Sequence, residues 1–351
     1  VIGDRWQETH SAQVELLRHF CGQFFESEFV SRPGQWKLLF TGVLSVLASL
    51  SIPFLQAYYH KYLMLKRLDD TQPFRLAVMA DSLFLISLTM VVIGLVTALL
   101  WQSLFPDKRD YLALAALPIR MPEIFRAKFL SLLGFVTLSA LFMAVPLSVG
   151  LPAMMQPQRA TVHFPVFGPM GYHMFGIAAA SLAGALFVFF VLVALQGILL
   201  NVLPLRISAR LSFAVQALLL VGFLAALPAA IAIPRWTYSM DRWSEWAAWV
   251  PPLWFLGLEQ SLIGNANPFA AFALQGLAGA AASAIAAYWW SYRRHRVRVL
   301  ESPGSESRGE RWSFEPKLQP RTLGVFAFIA KTLGRSPQHR LILTAFAGVA
   351  V

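Results

Sequence analysis

The sequence predicts an all-α polytopic membrane protein: a six-helix transmembrane bundle with a cytoplasmic amphipathic helix before it, half-helices on the outer side, and the start of a seventh span. Three observations predict this. Of the 351 residues 57% are hydrophobic and only 13% are charged, and the mean hydropathy is +0.58, too apolar for a soluble domain and too poor in charge for a disordered chain. Six uncharged stretches each supply the roughly 20 residues that cross a hydrocarbon core. All 29 Lys and Arg fall between those stretches, most of them on alternate connections.

Residues 1–36 are the leading segment. Within residues 11–29, Val14, Leu17, Phe20, Cys21 and Phe24 recur at helical spacing with Arg18, Gln23 and Glu26 between them, as in a helix lying in the membrane interface. Arg32, Pro33 and Gly34 end it. Such a helix anchors the chain, or also touches a cytoplasmic partner. Cys21, the single cysteine, excludes an internal disulfide and reads as a small buried hydrophobe. No basic segment followed by a short apolar core and cleavage site is visible, so no signal peptide is expected.

The bundle occupies residues 37–292, with spans at 38–59, 82–104, 129–151, 174–204, 211–233 and 269–290. Pro53, Pro146 and Pro228 lie inside spans, where kinks are expected. Segments 1–37, 105–128, 205–210 and 291–340 hold 4, 5, 2 and 11 Lys and Arg; segments 60–81, 152–173 and 234–268 hold 4, 1 and 2. The positive-inside rule then places the amino terminus and the 105–128 loop in the cytoplasm. Lys61, Lys66, Arg67 and Arg75 make the first outer loop a local exception. The net charge of +11 is accounted for by short loops facing anionic headgroups, so lipid bilayer and not nucleic acid is the expected partner.

The outer segment 235–267 carries Trp236, Trp243, Trp246, Trp249 and Trp254 within nineteen positions, and tryptophan favours headgroup depth. Pro251 and Pro252 divide it into two pieces too short to span, read either as interfacial half-helices or as a plain aromatic belt. The sixth span pairs Gly276 with Ala280 and Gly279 with Ser283 at four-residue spacing, a pattern that lets helices approach closely. It serves packing inside one bundle or an interface between two.

Opening with RRHRVR, residues 293–322 form a basic cytoplasmic linker with the run SPGSESRGER. Residues 323–351 read as an interfacial helix and the truncated start of a second bundle. RPGQWKLLFT at Arg32–Thr41 aligns without gaps to RSPQHRLILT at Arg335–Thr344, and the closing LILTAFAGVAV is about half a span. The expectation is that the polypeptide continues.

Catalytic and nucleotide-binding motifs are missing: there is no GxxxxGK[ST], HExxH, GxSxG or Gly-rich dinucleotide turn. No enzymatic activity and no cofactor or metal bound by this chain is expected. The seven histidines, His10, His19, His60, His163, His173, His295 and His339, lack ligand spacing. Ionisable groups inside spans are functional candidates by default. Asp81 and Lys128 stand at span edges, where water is within reach, and neither reads as a midplane proton relay. Gln196, Gln216 and Gln275 are the remaining inward-facing candidates, for helix packing or for lining a path.

That leaves FPDKRDYLALAALPIRMPEIFRAKF at Phe105–Phe129. Asp107 to Leu117 can form a short amphipathic helix with Tyr111, Leu114, Ala115 and Leu117 near one side. Pro118 stops it, because the residue before a proline is pushed out of helical geometry. Pro122 and Glu123 then suit the first turn of the next helix. A solvated basic loop accounts for the charges, though not for the apolar side or the prolines.

These residues resemble the cytoplasmic coupling loop of ABC-2 type permeases, the membrane subunits of bacterial ABC exporters. The resemblance rests on Asp107, Arg109, Leu114, Leu117, Pro118, Ile119, Glu123, Ile124 and Lys128. A longer subgroup is matched by Trp101, Leu104, Phe105, Pro106, Asp107, Arg109, Asp110 and Tyr111. The Glu-Arg before Gly-Thr that is usual in the family is lacking. The resemblance implies a permease in the bacterial cytoplasmic (inner) membrane, with a separate ABC ATPase subunit that binds ATP and Mg. It further implies a second permease bundle, from the same chain continued or from a dimer. It assigns Asp107, Lys108, Arg109, Asp110, Tyr111, Leu114, Leu117, Pro118, Ile119, Arg120, Glu123 and Lys128 to the ATPase contact. An ion-coupled secondary transporter is the alternative.

Overall fold

The computed structural model describes residues 15–17, 19–22, 36–65, 71–106, 121–155, 169–236 and 247–301. Among them there is no strand. The helices are α1 (Trp36–Ser49), α2 (Ser51–Leu65), α3 (Thr71–Leu99), α4 (Met121–Met155), α5 (Pro169–Val202), α6 (Leu205–Trp236), α7 (Pro251–Leu262) and α8 (Phe269–Glu301), with short 3₁₀ turns at Trp101–Ser103 and Ala247–Trp249. Six are long and apolar enough to cross a membrane: Phe40–Leu65, Leu76–Leu99, Pro122–Met154, Met170–Val202, Leu211–Ala230 and Phe269–Arg294.

Several boundaries differ from the sequence expectation, among them the start of α6 at Leu205, inside the segment expected as a connection at 205–210. The first span is jointed, with α1 ending at Ser49 and α2 beginning at Ser51. Pro53 has no N–H for the Ser49 carbonyl and its ring crowds that oxygen, while the Ser49 and Ser51 hydroxyls donate to the carbonyls of Val46 and Ala48. Pro146 and Pro228 leave their helices unbroken. The second span starts earlier than residue 82, because α3 is already helical from Thr71. Asp81 therefore lies inside a helix and not at a water-reachable edge. Finally, α8 runs on to Glu301, so helix continues past the boundary drawn between 292 and 293. The proposed seventh span and the rest of the segment after 301 lie outside the described residues.

The span in α3 is the most enclosed of the six, and those of α1–α2, α6 and α8 are the most open. α3 packs on α6 and α5, α5 also packs on α4 and α8, and α1 and α2 lie along α4. α5 approaches α8 closely at Gly197, where a Cβ would lie 2.5 Å from Ala287 Cβ, so only glycine fits. Outward positions remain greasy: Leu38, Leu218, Phe175, Leu274 and Ile285 are all exposed, as a chain solvated by hydrocarbon requires.

The bundle has two distinct ends. One holds residues 15–17, 19–22, 101–106, 121–128 and 288–292, and is called here the amino-terminal end. The other holds the end of α2, the start of α3, and α7. α7 opens with Pro251 and Pro252 in its first turn, where the missing N–H groups cost nothing. It closes at Gly264, whose φ of 102° is open to glycine. Asn267 Oδ1 then accepts the Phe269 N–H at 3.0 Å and starts α8.

Candidate functional site

At the amino-terminal end, residues 107–120 lie outside the described residues, and with them Asp107, Lys108, Arg109, Asp110, Tyr111, Leu114, Leu117, Pro118, Ile119 and Arg120. Their two flanks are described. On the α3 side Trp101 is fully buried; its Nε1 donates to Ser212 Oγ at 2.8 Å and its carbonyl accepts from Gln196 Nε2. Gln102 Nε2 donates to Gln216 Oε1 at 3.1 Å, and Gln216 Nε2 donates to the Ala98 carbonyl at 2.9 Å. Phe105 stacks on Tyr288 with ring centroids 4.5 Å apart, and the Tyr288 hydroxyl donates to the Leu104 carbonyl.

On the α4 side the helix starts at Met121 with Glu123 in its first turn, as the Pro122–Glu123 pair predicts. Phe125 and Phe129 meet the edge of Tyr288. The adjoining face of α4 carries Ile124 and Ala127, which form a small core with Leu16 and Phe20. Lys128 is only 3% exposed, which corrects the expectation of a water-reaching residue, and its Nζ lies 4.8 Å from the centre of the Phe20 ring. Burial pushes the Cys21 thiol up, away from the reactive thiolate.

Of the glutamines, Gln196 and Gln216 are buried and tie α5 and α6 to the end of α3. Gln275 is exposed, so it does not face inward as expected. Gly276 faces Trp254, its built Cβ 3.0 Å from that ring, while Gly279 meets nothing within 4 Å. In the tryptophan-rich segment, Trp243 and Trp246 lie outside the described residues. Trp249 is 81% exposed, and Trp254 donates to the Ala248 carbonyl at 2.9 Å and packs edge-on against Phe187.

The α7 end gathers charge that sequence reasoning did not place. Lys61 Nζ lies 2.6 and 2.8 Å from the two Asp81 carboxylate oxygens, and Tyr62 Oη donates to Asp81 Oδ2 at 2.8 Å. Asp81 is fully buried and the Lys61 side chain is 32% exposed. One residue on, Ser82 Oγ donates to Glu259 Oε1 at 3.0 Å. Glu259 is also fully buried. Burial pushes its carboxyl up to about 7, against the opposing hydrogen bonds from Ser82 and Gln260. The signal for Glu259 was present in LWFLGLEQSL: an acid placed four residues after Phe255 and three after Leu256, on the side both bury. For Lys61 it was the twenty-residue separation from Asp81 across a helix pair, which only the packing reveals.

Among the described residues no group of three or more His, Cys, Asp or Glu is placed to hold a metal ion. In comparisons with known protein families, curated proteins and solved structures, nothing matches this chain.

Proposed function

We propose that the chain is the transmembrane permease subunit of an ABC-type exporter. ATP hydrolysis by a separate ATPase subunit, which binds ATP and Mg, is coupled here to substrate movement across the bacterial inner membrane. The observation that carries this reading is the 105–128 stretch, with its short amphipathic run closed by Pro118 and its resemblance to the ABC-2 coupling loop. Its flanks support the reading: Leu104–Phe105 and Phe125–Phe129 meet on Tyr288, so the loop leaves from and returns to one aromatic cluster. A lever needs such a rigid footing to pass a push into the spans. On this reading the amino terminus is cytoplasmic, and a second bundle completes the path.

The test is reconstitution with an ATPase from a neighbouring reading frame. Leu114→Asp, or deletion of Asp110–Leu117, is expected to abolish transport-coupled ATP hydrolysis while membrane insertion is kept. Normal stimulation in both variants would count against the assignment. A second reading, an ion-coupled secondary transporter, is favoured by one observation: Lys61 and Asp81 form an ion pair inside helices long and apolar enough to cross a membrane, the placement in which charges mark ion paths. Uptake into vesicles driven by an ion gradient without ATP would favour it over the first.

A further inference from the structure

We propose that Glu259 is a proton-binding site, its carboxyl carried in the protonated form while α7 lies docked against α3 and α5. The reaction is the addition of one proton to one carboxylate oxygen, and it needs no other reactant. The inference rests on neither energy source above, since a proton bound at this end of the bundle requires no ATPase and no particular cargo.

The enclosure is the first argument. Glu259 is fully buried. Ser82 of α3 touches its Oε1. On the α5 side a Cβ built on Gly176 would lie 3.5 Å from both Glu259 Cγ and the Glu259 carbonyl oxygen. α5 therefore passes within van der Waals reach of the side chain.

The second argument is the inventory of charge facing it. On the α2 and α3 side stand Lys61, Asp81 and Tyr62, and the Lys61 ammonium already serves both oxygens of Asp81. On α5 stands His173, one turn before Gly176, whose Nδ1 is buried without a hydrogen-bond partner and so makes no bond to Glu259. On α8 no ionisable side chain occurs from Phe269 to Ala287. Among the described residues, then, no cation pairs with Glu259.

The third argument is chemical. An ionised carboxylate offers about four acceptor positions. Glu259 has one good donor, Ser82, and one long contact from Gln260 Nε2 at 3.5 Å. Burying a charge so poorly met is expensive, and the group takes up a proton instead. The two acids at this end are thereby divided: Asp81 is the ion, held by its lysine, and Glu259 is the proton carrier.

Infrared difference spectroscopy of the purified full chain in liposomes, titrated from about pH 5 to about pH 9, tests this across the range where a shifted carboxyl ionises. A carbonyl band of a protonated carboxylic acid is expected to disappear with a midpoint near about 7, and to be missing from Glu259→Gln. Absence of such a band in the wild-type chain, or its survival in Glu259→Gln, would overturn the proposal. Ser82→Ala supplies an arm that keeps the carboxyl in place. Removing the donor that favours the ionised form moves the midpoint to higher pH, and an unmoved or lowered midpoint would equally overturn it.

Discussion

The two ends of this bundle solve the same problem by opposite means. Both set polar side chains between packed helices, with α3 and α5 reaching both ends. At the amino-terminal end Trp101, Gln102, Gln196, Gln216 and Tyr288 are neutral and cross-link α3, α5, α6 and α8 by hydrogen bonds. At the α7 end Lys61, Asp81 and Glu259 are ionisable, the two acids fully buried and the lysine 32% exposed, with one pair matched and one carboxyl left over. A neutral network fixes geometry and ignores pH; a network containing a surplus acid fixes geometry only in one protonation state. The contrast separates a rigid end from a titratable one.

The sharpest way to break the comparison is Lys61→Met, which strands the Asp81 charge. A loss of about 3 to 4 kcal/mol is expected, at the lower end for a broken buried pair because Lys61 is partly exposed. Adding Asp81→Asn recovers most of it, as a double-mutant cycle in mixed micelles would measure. Next comes the pH profile. The Glu259 carboxyl has a folded pKa raised from 4.5 to about 7, so between those values the folded chain holds more proton than the unfolded one. Its contribution is fully present below about 4.5 and is lost as pH rises to about 7, a fall of about 3 kcal/mol. Glu259→Gln should therefore gain on the wild type across that window and hold a constant advantage above it. Trp101→Phe at the opposite end removes one buried donor and leaves Ser212 unmet, at about 1 kcal/mol, with the same cost at every pH. The smallest effect is Gln275→Leu, expected within about 0.5 kcal/mol, because its side chain is exposed. A larger loss in thermal unfolding would mean that α8 hides a contact.

How far the sequence was legible follows from what each feature depends on. Span number depends on local length and hydropathy, so the six apolar helices could be read directly. The start of α4 depends on Pro122 and Glu123, and was equally plain. The start of α3 was less plain, because Arg75 and Asp81 break the uncharged run although the helix already begins at Thr71 and Asp81 is paired with Lys61 and Tyr62. Gln275 looked inward by composition, whereas a close contact of α5 with α8 falls at Gly197 and Ala287. Helix face cannot be read from a span that is apolar all round. The burial of Glu259 depends on α3 and α5 packing over α7, a contact that no local pattern in the sequence encodes.

The joint at Leu50 carries a further consequence for how the molecule meets bilayers of unequal thickness. Phe40–Leu65 comprises 26 residues, about 39 Å if straight, against a hydrocarbon slab of about 30 Å. An unbroken rod would take up that excess by leaning as a whole. A rod articulated at its middle can bend there instead, so α1 can follow a thinning or thickening leaflet while α2 keeps its lysine seated on Asp81.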